Sequence, residues 1–139
     1  MGQPGVCILL AEDNDGDIFL VRRALDRHLD AYELLLAKDG DQALQLLEQA
    51  NADQRAIFPD LVILDLNLPR RSGIQVLERL RGIPRCAAAP VVVFTSSDSP
   101  QDRVEAFRLG ANRYFQKPTD LAGFMKLGEM VKSILPHPP

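Results

Sequence analysis

The sequence predicts an α/β fold: a doubly wound, five-stranded parallel sheet of order 2-1-3-4-5 between two helical layers, a three-layer sandwich. Three observations predict it. Short apolar runs rich in Val, Ile and Leu, at residues 6–11, 32–37, 61–64, 90–94 and 113–116, alternate with longer segments of helical spacing, the pattern of parallel strands joined through helices. None of the runs has the strict polar alternation of a half-exposed strand, so both faces of the sheet are expected to be buried. Four runs end in polar groups: Glu12 with Asp13, Asp65, Thr95 with Ser96, and Lys117 with Pro118. In a sheet of this kind ligands sit outside the carboxyl ends of the strands, where the winding reverses between strands one and three.

The first run leads into Glu12 and Asp13, and Ile18, Val21, Leu25 and Leu29 then mark a helix face. Asn14 or Asp15 is its expected cap, with Asp17 in a first turn that favours acids. After the second run, Ala43, Leu47 and Ala50 mark the second helix, and residues 51–60 form a polar connection, long for its type and a candidate partner contact. The third run, Leu61 to Leu64, stops at Asp65 and is followed by Leu66, Asn67, Leu68, Pro69, the pair Arg70-Arg71, and Gly73. The fourth leads to Thr95 and Ser96, Ser99-Pro100 reads as cap and first residue of the fourth helix, and Gly110 closes that helix. The last run precedes Lys117-Pro118 and a helix marked by Leu121, Phe124, Gly128, Val131 and Leu135, with His137 to Pro139 read as a frayed tail.

A length of 139 residues with 46% hydrophobic and 25% charged content suits one globular domain, with a core expected over 6–135 and no further DNA-binding or enzymatic output domain expected. The net charge of -3 argues against a nucleic-acid surface, and Arg22, Arg23, Arg27, Arg70 and Arg71 read as solvated faces. No stretch approaches the ~20 apolar residues of a membrane span, and Met1 to Gly5 lacks the features of a signal peptide, so no membrane partner and a cytoplasmic location are expected. Cys7 reads as core filler and Cys86 as a surface thiol; His28 and His137 have no metal-ligand spacing.

Glu12, Asp13 and Asp65 should meet at the winding reversal, where like charges must take up protons or hold a cation. Oxygen-only ligands that leave room for water and phosphate suit magnesium. With a cation present Asp65 stays ionised and can act as a nucleophile towards phosphorus, while Lys117 neutralises charge on the transferred group and Thr95 donates a hydrogen bond. Taken singly each residue has a plainer reading: Asp65 and Thr95 as caps, Lys117 as a solvated lysine, Tyr114 as a strand aromatic. Their joint occurrence at four strand ends outweighs those readings.

These residues, as Leu10-Ala11-Glu12-Asp13-Asn14, Leu64-Asp65-Leu66-Asn67-Leu68-Pro69 with Gly73, Val93-Phe94-Thr95-Ser96, Gly110-Ala111 and Lys117-Pro118, resemble the response regulator receiver domain of two-component signalling, which has a flavodoxin-like fold. The resemblance covers nearly the whole chain. It implies Asp65 as phosphoacceptor, Asp13 as direct Mg2+ ligand, Glu12 as second acid reaching the metal through water, the Asn67 backbone carbonyl as a further ligand, and Thr95 and Lys117 as phosphoryl contacts. It also implies Thr95 and Tyr114 as the switch pair, a cis Lys117–Pro118 bond, a sensor histidine kinase as partner and no enzymatic turnover beyond self-phosphorylation and slow dephosphorylation. The output is a phosphotransfer protein, another protein target or a homodimer through exposed Phe115 or Met130. The long third connection and the Asp65-to-Pro69 motif are similar to small regulators paired with bacterial phytochrome kinases. A haloacid-dehalogenase-type phosphohydrolase needs a second acid where Asn67 stands. A flavodoxin-type electron carrier needs a flavin-phosphate loop where the chain has acids, and intact Asp13, Asp65, Thr95 and Lys117 speak against an unphosphorylated binding module.

Overall fold

A computed structural model describes residues 5–53, 55 and 58–135. The expectations for the amino-terminal residues 1–4, for His137 to Pro139 and for part of the 51–60 connection fall outside those residues. Five parallel strands run in the order β2-β1-β3-β4-β5: β1 (Val6–Ala11), β2 (Tyr32–Ala37), β3 (Leu61–Leu64), β4 (Val91–Thr95) and β5 (Arg113–Gln116). The intervening helices are α1 (Asp15–His28), α2 (Gly40–Ala52), α3 (Gly73–Arg81), α4 (Pro100–Arg108) and α5 (Leu121–Ile134), with one 3-10 turn at Pro84–Cys86.

Period-two alternation divides the core into two layers. Ile8, Leu10, Leu61, Ile63, Val92 and Phe94 point to the face covered by α1 and α5. Leu9, Ala11, Val62, Leu64, Val91 and Val93 point to the other, against Leu44 and Leu47 of α2 and Val76, Leu77 and Leu80 of α3. Burial on both faces holds for β3 and β4 and nearly all of β1. It fails for β2 and β5, most of whose residues are half-buried or exposed, because each is an edge strand with a neighbouring strand on one side only.

Capping chemistry sets the helix starts. Asn14, not Asp15, caps α1, its side chain accepting from the Asp17 N–H. Ser99 caps α4 with Pro100 behind it, and Ser72 caps α3 through a capping box with Gln75. Gly110, at φ 101°, follows α4 in the left-handed region that glycine enters without strain. The second helix runs further than its apolar spacing marked, to Ala52, so that the irregular part of the connection starts at Asp53.

Three expectations are corrected. Cys86 is fully buried rather than exposed, because the 3-10 turn folds it into the α2–α3 layer. Phe115 and Met130 are half-buried against the α1–α5 layer, with the Phe115 ring 5.8 Å from that of Phe94; among the described residues the exposed large apolar side chains are Phe19, Val104, Phe107 and Leu121. The Lys117–Pro118 bond is trans, as there is no cis peptide among the described residues. Trans is the ordinary preference of a prolyl amide, and the Lys117 side chain reaches the strand ends from it.

Candidate functional site

Strand register assembles the site. Ala11 pairs with Leu64, so Glu12 and Asp65 leave the sheet side by side, and the Asp65 N–H donates to the Ala11 carbonyl at 3.0 Å. Thr95 pairs with Gln116, and the next residue, Lys117, donates its N–H to the Thr95 carbonyl at 2.7 Å. Glu12, Asp65 and Thr95 are the three buried polar or charged side chains of the described residues, all at carboxyl ends of strands. Gly73 is required beside them: a methyl group there would overlap the Asp65 carbonyl oxygen as α3 begins.

The carboxylates are held from several sides. Glu12 Oε2 accepts from the N–H groups of Asp13 (3.1 Å) and Asn14 (3.2 Å). Asp65 Oδ1 accepts from the Asn67 N–H at 3.0 Å, and Oδ2 from Lys117 Nζ at 2.9 Å. Lys117 Nζ also lies 2.8 Å from Glu12 Oε1 and 2.8 Å from Asp17 Oδ2. The Glu12 contact is an ion pair without hydrogen-bond geometry, which leaves Oε1 with no hydrogen-bond partner. Burial raises the Glu12 carboxyl to about 7, with the Asp65 charge adding to the rise while Lys117 and the Asn14 N–H oppose it. Burial by itself would lower the Lys117 ammonium, yet the three carboxylates around it, Asp17, Glu12 and Asp65, win and raise it.

Glu12, Asp13 and Asp65 each offer an oxygen, and these lie within 4.8 Å of one another. Such an anionic, all-oxygen set, with Asp13 exposed to solvent and one buried oxygen of Glu12 lacking a hydrogen-bond donor, fits a hard divalent cation. Thr95 Oγ1 faces the same space and accepts long contacts of 3.4 Å from Asn67 Nδ2 and the Ser97 N–H. On the far side of β4, the Tyr114 ring is buried, its hydroxyl donating to the Ser97 carbonyl at 3.0 Å, with the Arg103 guanidinium 5.0 Å from the ring centre.

Glu12, Asp13, Asp65, Asn67, Thr95 and Lys117 therefore lie at the carboxyl edge of the sheet or on the loops that leave it, while Tyr114 stands within β5, paired with Val93. One neighbour was missed. Asp17 was read only as a favourable first-turn charge, and nothing in the local sequence shows that α1 carries it to Lys117, which is 100 positions away.

The response regulator receiver domain model matches residues 8–128. Response regulator Rcp1 of Synechocystis sp. is 33% identical over 130 residues, spanning 94% of this chain and 88% of its own length. The crystal structure of the Mn(2+)-bound form of Rcp1 superposes with a TM-score of 0.83 at 32% identity, covering 95% of this chain and 99% of that one. The phosphorylated cyanobacterial phytochrome response regulator RcpA superposes at 0.80 and 35% identity, covering 94% and 91%. The chain belongs to the response regulator receiver domain family, the phosphoaccepting side of two-component signalling. Receiver domains are in general non-catalytic phosphoacceptors and work with histidine kinases. No helix among the described residues is long and apolar enough to cross a membrane.

Proposed function

We propose that Asp65 accepts a phosphoryl group from a sensor histidine kinase in a magnesium-dependent reaction, and that the modified chain signals through its α4, β5 and α5 surface. The observation that carries this reading is the meeting of Asp65 Oδ2 with Lys117 Nζ at 2.9 Å, beside the two further carboxylates Glu12 and Asp13. Asp13, Asp65, the Asn67 carbonyl and, through water, Glu12 would hold Mg2+, which supplies charge neutralisation for the phosphoryl oxygens.

The chain's own groups do the rest. The Asn67 N–H orients the Asp65 carboxylate through Oδ1. Lys117 gives a positive charge at the place where phosphoryl charge accumulates, and Thr95 offers a hydroxyl donor. When Thr95 turns towards the new group, its contacts with Asn67 and Ser97 are broken, and Ser97 also holds the Tyr114 hydroxyl. The switch pair thus shares one loop, and a population shift in that loop reaches α4. The likeness to phytochrome regulators points to a kinase of that type; because such a kinase draws on ATP, the reading places the chain in the cytoplasm. A phosphotransfer protein or a homodimer through exposed Val104 and Phe107 of α4 are the outputs this surface favours.

Incubation with acetyl phosphate and magnesium should add one phosphoryl group by intact mass. Asp65→Asn or a chelator should abolish the addition, and generic phosphomonoesters should not be turned over. Steady ester hydrolysis would favour the phosphohydrolase instead, although Asn67 stands where that chemistry needs an acid.

A further inference from the structure

Lys117 has three N–H donors and faces three carboxylates, Glu12, Asp17 and Asp65, at 2.8, 2.8 and 2.9 Å. Two of the donors are spent on Asp17 and Asp65, and the ammonium faces Glu12 as an ion pair without hydrogen-bond geometry, so an incoming anion gains the whole of its charge only when a carboxylate lets go. The three are not equally held. Glu12 and Asp65 are almost fully buried, on strand ends, and their second oxygens are fixed by backbone N–H groups. The Asp17 side chain, on the first turn of α1, is 23% exposed, and Lys117 is the one polar partner of its carboxylate among the described residues. It can turn into water at least cost.

We infer that Asp17 is a positioning residue that competes with the incoming phosphoryl group for the Lys117 ammonium and so restrains phosphorylation. This rests on the reading of Asp65 as phosphoacceptor. In transfer from acetyl phosphate, an Asp65 carboxylate oxygen forms the new bond to phosphorus. The bond from phosphorus to the acetate oxygen breaks, and acetate leaves with the electron pair, so that no proton moves. Lys117 must meet the phosphoryl oxygens during that step, and Asp17 is the partner it releases.

The test compares wild type, Asp17→Asn and Asp15→Asn for phosphoryl uptake from low acetyl phosphate in magnesium buffer, read by intact mass. Asp15 lies on the same helical turn but pairs with Lys38 at 2.6 Å and not with Lys117, so its variant removes an equal charge without freeing the ammonium. Asp17→Asn should raise the second-order rate constant about fivefold, the size of one partly exposed ion pair, and Asp15→Asn should leave it within about twofold. An unchanged or slower Asp17→Asn chain, or an equal rise in Asp15→Asn, would overturn the inference while leaving Asp65 as acceptor. No uptake by the wild type would remove both readings.

Discussion

Among the residues of the site, Glu12 carries the strongest conflict between burial and charge. Its carboxyl is raised from an ordinary 4.5 to about 7, chiefly by burial. The folded chain thus binds more protons than the unfolded chain between those values, so cation-free stability should fall as pH rises from about 4.5 to about 7. A divalent cation needs the ionised form, so its affinity should rise with pH over the approach to 7 and then level off. Calorimetric titration with magnesium or manganese on either side of that value checks this; pH-independent affinity would show that Glu12 takes no part. The acids, Thr95 and Lys117 were legible in the sequence because each ends an apolar run, a local signal. Asp17 was not, since its importance depends on a contact made only after α1 docks on the sheet.

Among the elements, strands were legible almost to the residue: β1, β2, β3 and β5 match the apolar runs, and β4 lies one residue later than its run. The start of α3 had a signal in Ser72 and Gln75, a capping box that apolar spacing alone does not reveal. The exposure of Cys86 and Phe115 is not legible because a loop and a short edge strand have no period that tells inside from outside, and Met130 stands beside the apolar stripe of α5, at the margin of the face it packs. Helix α5 packs against α1 so closely that a methyl group on Gly128 would overlap the Ala24 carbonyl oxygen and crowd His28. Gly128→Ala should therefore destabilise the fold by about 1–3 kcal/mol, as overpacking does, despite the better helix propensity of alanine. Chemical denaturation measures this, and an equal or higher stability would mean that the two helices separate without cost.

For the whole molecule, the sheet order was legible through topology rather than through any single segment. Alternating strands and helices leave few right-handed arrangements, and only an order with β1 beside β3 brings Glu12 and Asp65 together. The same order carries Thr95 and Lys117 to that edge from β4 and β5. Which face meets a partner was not legible, because the exposed apolar side chains are divided between α1, with Phe19, and α4 and α5, with Val104, Phe107 and Leu121.

The convergence of these strand ends on one acceptor is tested most directly by locating the phosphoryl group. The phosphorylated protein is reduced with borohydride, which converts an aspartyl phosphate to homoserine, then digested and mapped by mass. The account predicts homoserine at position 65 alone, and none when the cation is chelated. Reduction at Asp13, Glu12 or a distant acid, with Asp65 unchanged, would contradict it.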